Sequence, residues 1–357
     1  MVERERASLL IRPVAWPEIG TGDDLALLLV ETAGLADGDI AVVTSKVISK
    51  AEGRVSKVSR GEAVDAEAVR IVARRGESVI AETRHGLVMA AAGVDVSNVP
   101  AEIVVLLPVD PDVSARRLRE RVFELAGVNV AVLVTDTAGR AWRNGQTDLA
   151  IGCAGMAAWH ELRGTLDTHG NYLTVTAPAI ADEIASAADL VKGKASGCPV
   201  AVVTGLDHLV HPVGQHGAGA APLIRAGELD LFGLGTREAA VVAALRNDPV
   251  SLAHFPPLGE TDDEPFAALV SQVTDVRVII RRHTVSRATE GLDRRGWQVE
   301  VEVRDGAGAA GQRHAGALVE RAKVLAVAHR LHIVDDARAS RSGHGWQTVH
   351  GFSAVSP

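Results

Sequence analysis

Cysteine is scarce. The 357-residue chain has two, Cys153 and Cys198, with no Cys-x-x-Cys pair and no cysteine at zinc-finger spacing from histidine. That argues against a disulfide framework and a structural zinc, and it suits a reducing compartment. Aromatic residues make up only 3%, which leaves little from which to build base-stacking platforms. Basic charge is not in excess: 37 Lys and Arg against 45 Asp and Glu give a net charge of -8, which argues against a polyanion such as nucleic acid as partner. No uninterrupted apolar run approaches the ~18 residues of a spanning helix. The charged start Met1–Arg6, with Arg12 and Pro13 soon after, does not read as a secretory signal. These absences predict a cytoplasmic protein with neither a nucleic-acid nor a membrane partner. The common catalytic loops are missing too, with no GxxxxGK[ST], GxSxG or SxxK.

What is present is the composition of a globular protein, 47% hydrophobic and 23% charged, long enough for about two domains at ~150 residues each. Through the first two thirds, strands and helices alternate. Helices are predicted at Leu25–Thr32, Ala63–Ile80, Ser114–Leu125 and Ala179–Val191, and strands at Asp39–Thr44, Glu102–Leu107, Val128–Val134, Leu173–Thr176 and Val200–Thr204. Val128–Val134 is apolar throughout and is expected in a sheet centre, with Thr135-Asp136-Thr137 emerging at its end. From Leu245 onward, Asn247-Asp248-Pro249, Pro256-Pro257 and acidic Glu260–Glu264 read as a linker. The expected division is residues 1–245 and a smaller α+β domain, 246–357, with strands at Val276–Arg281 and Trp297–Val303 and a helix at Ala315–His329.

Several groups of residues could carry chemistry. Ser45-Lys46-Val47-Ile48-Ser49-Lys50 follows a strand directly, read as a loop whose hydroxyls and ammonium groups suit phosphate oxygens. Asp95 and Asp136 each sit among Gly, hydroxyl or amide side chains. A hard cation needs only one or two such carboxylates besides substrate phosphates. Arg140 and Arg143 add guanidinium groups that could bind an anionic substrate bidentately. His208, His211 and His216 read as a solvated loop. Gly306-Ala307-Gly308-Ala309-Ala310-Gly311 matches GxGxxG, but the preceding strand alternates apolar and polar residues, so a flexible Ala/Gly loop is expected there.

Together these segments resemble the coenzyme F-420 gamma-glutamyl ligases. The resemblance lies in Gly38–Gly53, in His85–Val88 with Ala92–Asn98, in Val134–Gly145 reading VTDTAGRAWRNG, and in Ala181–Ala185 with Ala188–Gly193. It implies a mixed α/β (α+β) fold forming an intertwined homodimer. It implies a GTP-dependent ligase that joins L-glutamate to the lactyl carboxylate of the F-420 precursor through an acyl phosphate, then adds a second glutamate by a gamma linkage. Carried over residue by residue, nucleotide contacts fall on Pro17, Glu18, Ile19, Gly20, Ser45, Lys46, Lys50, Asn98, Lys192, Gly193 and Lys194. Mg²⁺ or Mn²⁺ ligation falls on Asp95, Asp136 and Thr137, with K⁺ as a further ion, and orientation of an acidic substrate on Arg140 and Arg143. The chain departs from its relatives at Ala91, where they usually have Asn, and at Lys194-Ala195-Ser196, where archaeal members are glycine-rich. Two other readings are a dinucleotide-dependent oxidoreductase centred on Gly306–Gly311 and a non-catalytic module that binds nucleotide or F-420.

Overall fold

The structure is a computed structural model describing residues 8–97, 99–100, 102–194, 196–225, 230, 276–286, 293–328, 331–337, 340–342 and 346–355. Two compact units divide the chain, Met1–Arg225 and Ala226–Pro357; the expected boundary at 245 lies outside the described residues.

In chain order the first unit runs β1 (Leu10–Val14), α1 (Leu25–Thr32), β2 (Ile40–Thr44), α2 (Ser45–Ala51), β3 (Val55–Ser56), α3 (Arg60–Glu67), β4 (Ala68–Arg75), β5 (Ser78–Thr83), β6 (Val88–Ala90), β7 (Val104–Val105), α4 (Pro111–Ala126), β8 (Ala131–Arg140), β9 (Arg143–Ala154), α5 (Ile180–Lys192) and β10 (Val200–Thr204). Its main sheet has the order β1-β10-β2-β8-β9, antiparallel except for the parallel pair β2 and β8. Helices cover both faces. Ala41, Val43, Val132 and Val134 face α1 and α4 through Leu29, Leu118 and Val122. Their neighbours Ile40, Val42, Ala131 and Leu133 face α5 through Ala181, Ile184, Ala185 and Ala188. The strands are therefore apolar at every position because alternate side chains enter two different cores. Each fully buried Val, Leu or Ile contributes about 1.5–3 kcal/mol by leaving water.

Local chemistry sets the helix ends. The Asp24 carboxylate caps α1 by accepting from the backbone of Ala26 and Leu27. Asp110 and Pro111 start α4, and Gly127, at φ +69°, ends it.

Four sequence expectations are corrected in this unit. The helix predicted over Ala63–Ile80 is instead α3 followed by the hairpin β4–β5: a reciprocal Ser59–Glu62 capping box opens α3, and the chain reverses between Arg75 and Ser78. Apolar residues there satisfy both periods, and the two-residue turn Gly76-Glu77, with Gly76 at φ +59°, decides for the hairpin. The strand predicted at Leu173–Thr176 is absent, only Tyr172 making an isolated bridge to Leu166. Ser45–Lys50 is the helix α2 rather than a loop. The strand expected over Glu102–Leu107 shortens to Val104–Val105.

The second unit contains β11 (Val276–Ser286), β12 (Asp293–Arg304), α6 (Gly308–Ala328), β13 (His332–Ala337), β14 (Ser340–Ser342) and β15 (Trp346–Val355). Its antiparallel sheet has the order β11-β12-β15-β13, with β14 on β15. Alternate residues of β12, Trp297, Val299, Val301 and Val303, pack with Ala315, Leu318 and Ala322 of α6. Gly308–Gly311 form the first turn of α6, so the expected Ala/Gly loop is corrected. The strand before them is antiparallel to both neighbours, so the parallel βαβ setting that a dinucleotide fingerprint requires is missing. No described helix is long and apolar enough to cross a membrane.

Candidate functional site

One pair of strands decides where the site forms. β2 and β8 run parallel with Thr44 beside Thr135, so β2 ends where β8 runs on into its hairpin with β9, and the next residues of both meet. The Ser45 hydroxyl donates to Asp136 Oδ1 at 2.9 Å. Carboxyl ends of parallel strands are where α/β sheets collect ligands, and a cavity of about 780 Å³ opens over this edge.

Most of its wall comes from five places. The segment after β1 supplies Trp16, Pro17, Glu18 and Ile19; α2 supplies Lys46 and Lys50; the segment after β6 supplies Gly93, Asp95 and Ser97; the β8–β9 hairpin supplies Asp136, Thr137, Gln146 and Asp148; and α5 with its C-terminal loop supplies Asp189, Lys192, Gly193 and Lys194. Lys46 and Lys50 are four residues apart and thus share one face of α2. The Lys46 ammonium lies 2.7 Å from Asp95 Oδ2 and donates to Ser97 Oγ at 2.8 Å and to the Ser97 carbonyl at 2.7 Å. Lys50 is buried and meets Glu18 Oε1 at 2.5 Å.

Asp95 is fixed by its own backbone, which exchanges hydrogen bonds with Val105. Burial pushes its carboxyl up, but bonds from Lys46 and from the backbone and hydroxyl of Ser97 outweigh burial and hold it below the usual range. Asp136 goes the other way. Burial, then the nearby charges of Asp148 and Asp95, push it up to about 6 against the Ser45 bond. Clustered carboxylates of this kind suit a cation. Among the described residues no group of three or more His, Cys, Asp or Glu could hold a metal by itself. A cation here would thus rely on Asp95, Asp136, the Thr137 hydroxyl and oxygens from its ligand.

Behind Thr137 lies a buried ion pair. Lys192 Nζ stands 2.7 Å from Asp148 Oδ2, at exposures of 3% and 2%. Burial pushes the Asp148 carboxyl up, and Lys192, Thr137 and Thr135 overcome it and hold it low.

Of the sequence-derived candidates, Pro17, Glu18, Ile19, Lys46, Lys50, Asp95, Asp136, Thr137, Lys192, Gly193 and Lys194 line this one cavity. Ser45 stands behind Asp136. The Gly20 N–H turns instead to Asp23, at 2.8 Å, and Asn98 lies outside the described residues. Arg140 and Arg143 pair across the exposed tip of the β8–β9 hairpin, outside the cavity lining. Trp142 between them is 87% exposed, at φ +64°.

Asp148 escaped the sequence reading, as did Trp16, Gln146 and Asp189. A signal for Asp148 existed: Thr135 and Thr137 share a strand face, and Lys192 continues the buried spacing Ala181, Ala185, Ala188 on α5, so a buried ammonium needed a carboxylate. The three loop histidines do not converge on a metal. The segment that carries them is held by Arg119, which donates to the carbonyls of His211 and Gln215 at 2.8 Å each.

Residues 13–205, more than half of the chain and all of the site's walls, match the model of the F420-0:Gamma-glutamyl ligase family. The chain belongs to that family. Among curated proteins it is 40% identical over 221 residues to the coenzyme F420:L-glutamate ligase of Methanopyrus kandleri, covering 56% of this chain and 88% of the relative. The enzymes of that name from Methanothermobacter thermautotrophicus and Haloarcula marismortui are 35% and 38% identical over 251 and 248 residues, covering 62% of this chain and 98% and 94% of theirs. These relatives are spanned almost whole by less than two thirds of the chain, so the remainder is additional to them.

Proposed function

We propose that this protein is a ligase of coenzyme F-420 biosynthesis that uses GTP to join L-glutamate to the lactyl carboxylate of the F-420 precursor, and then adds a second glutamate through a gamma linkage. The observation that carries the proposal is the meeting of Asp95 and Asp136 with Lys46, Lys50 and Lys194 around one cavity, inside the segment that matches the family.

A carboxylate is a poor electrophile. In the proposed reaction its oxygen bonds to the γ-phosphorus of GTP as the bond to the β–γ bridging oxygen breaks, and GDP leaves. The glutamate amine then attacks the acyl carbon of the resulting acyl phosphate, inorganic phosphate departs, and the amine gives up a proton. The first step needs positioning and charge neutralisation more than covalent help. Lys50, in the wall beside Pro17–Ile19, and Lys46 bring positive charge to the phosphates. Asp95, Asp136 and Thr137 fit Mg²⁺ or Mn²⁺, which when bound would neutralise phosphate charge. Lys192 is engaged by Asp148 and Thr135 and supports the wall. K⁺, the homodimer and the cytoplasmic location belong to the same proposal. Arg140 and Arg143, at the hairpin tip, have no assigned part within this cavity.

The test is to incubate the protein with GTP, Mn²⁺, L-glutamate and the glutamate-free precursor while following product mass and phosphate release. Whole glutamyl increments matched to GTP cleavage and dependent on metal are expected. Nucleotide uptake with no change in precursor mass would replace the ligase with a binding module.

A further inference from the structure

The proton of the Thr137 hydroxyl can be assigned from its neighbours, and the assignment gives Asp148 a role. Lys192 has only protons to offer. It gives one to Asp148 Oδ2 at 2.7 Å and one to Thr135 Oγ1 at 2.9 Å. With a lone pair of Thr135 so used, that hydroxyl directs its proton to Asp148 Oδ2 at 3.0 Å. The other carboxylate oxygen, Oδ1, takes the proton of Thr137 at 2.7 Å. A hydroxyl has one proton and two lone pairs. With its proton turned back toward Asp148, Thr137 presents lone pairs forward, and the Lys194 ammonium donates to that oxygen.

We infer that Asp148 is a positioning residue: it fixes the Thr137 hydroxyl as an acceptor toward the cavity, the orientation a divalent cation requires, and Thr135 and Lys192 hold Asp148 in place. The inference rests on the proposed metal site. The arrangement is rigid because Asp148, Thr135 and Lys192 are all nearly inaccessible to solvent. Hydrogen-bonding partners behind a metal's direct ligands orient those ligands, and losing one lowers metal affinity by ~10–100-fold. In Asp148→Asn the amide could donate to Thr137, sending the hydroxyl proton forward against the cation.

A double-mutant cycle on Mn²⁺ affinity tests this, read by the electron paramagnetic resonance of free Mn²⁺ in the presence of GTP. The proteins are the full-length wild type, Asp148→Asn, Thr137→Val and the double variant, with Asp136→Asn as reference. Asp148→Asn is expected to weaken Mn²⁺ binding about tenfold or more, and to have no further effect once residue 137 is valine. Thr137→Ser, which keeps the hydroxyl, is expected to retain the dependence on Asp148. If Asp148→Asn fails to fold because Lys192 loses its counter-charge, the cycle is run with Lys192→Met added to each protein. Effects that simply add, or an Asp148→Asn protein with wild-type Mn²⁺ affinity, would overturn the inference while leaving an Asp136-dependent metal site intact. No Mn²⁺ binding by the folded wild type, or binding indifferent to Asp136→Asn, would overturn the metal site and the inference together.

Discussion

Asp136 is held at odds with its surroundings. Its carboxyl titrates near 6 in the folded chain against an ordinary 3.8, so between those values the folded state binds more protons than the unfolded one. Stability contributed by this group therefore falls as pH rises through that window, by up to about 3 kcal/mol without metal. Asp136→Asn is expected to unfold at higher urea than the metal-free wild type at pH 8, to lose much of that advantage at pH 4, and to lose Mn²⁺ binding. Urea titrations at the two pH values with chelator present check the first two points. Protons should also compete with the cation, weakening Mn²⁺ binding by about tenfold per pH unit below 6. Lys46 and Asp136, which directly follow or close an apolar β run, were legible as cavity-facing from the chain alone, whereas Ser45 supports Asp136 from behind. Asp148 was legible only in part: the buried spacing of Lys192 called for a carboxylate, but only the hairpin register shows that Asp148 supplies it.

Elements reveal where a local pattern was enough and where it failed. α1, β2 and β10 lie where periodicity puts them, since each has a cap or turn signal at its ends and an unambiguous apolar pattern between. The β4–β5 hairpin does not, because Val69, Ile71, Val79 and Ile80 fit a helical spacing as well as an alternating one. The connection carrying Asp95 is strained by design: Ala91, Ala92 and Gly93 all have positive φ. A Cβ at Gly93 would lie 2.7 Å from Leu107. Gly93→Ala is expected to cost about 2–4 kcal/mol from left-handed backbone and overpacking together, measurable by chemical denaturation. α4 shows the opposite device, a buried ion whose hydrogen bonds go mainly to neutral oxygens. Arg119, 3% exposed, donates at 2.8 Å to the Val130, His211 and Gln215 carbonyls and to Asn129 Oδ1. Arg119→Met strands those acceptors and is expected to cost at least about 3 kcal/mol, with proteolysis near residues 211–216 rising first.

At the scale of the molecule, two units with separate cores predict two transitions in a calorimetric scan. Because relatives are spanned by the first part of the chain, a protein ending at residue 245 is expected to keep glutamate ligation. Loss of ligation in a truncated protein that retains the first transition would assign a catalytic part to the second unit. The parallel pairing of β2 with β8 has one more consequence, and it concerns time. Ser45 and Asp136 are separated by 91 positions, and β2 receives its other neighbour only when Val200–Thr204 has been made. Contacts this distant close late and slowly. At ~5–20 residues per second of synthesis, a nascent chain spends many seconds with one edge of β2 bare, exposed to pairing with the wrong strand. During that interval it has no assembled pocket with which to sequester nucleotide or metal. If the proposed nucleotide and metal site is correct, the ability to fill it arrives near the end of synthesis of the first unit, and uptake of Mn²⁺ is expected to mark correctly completed folding.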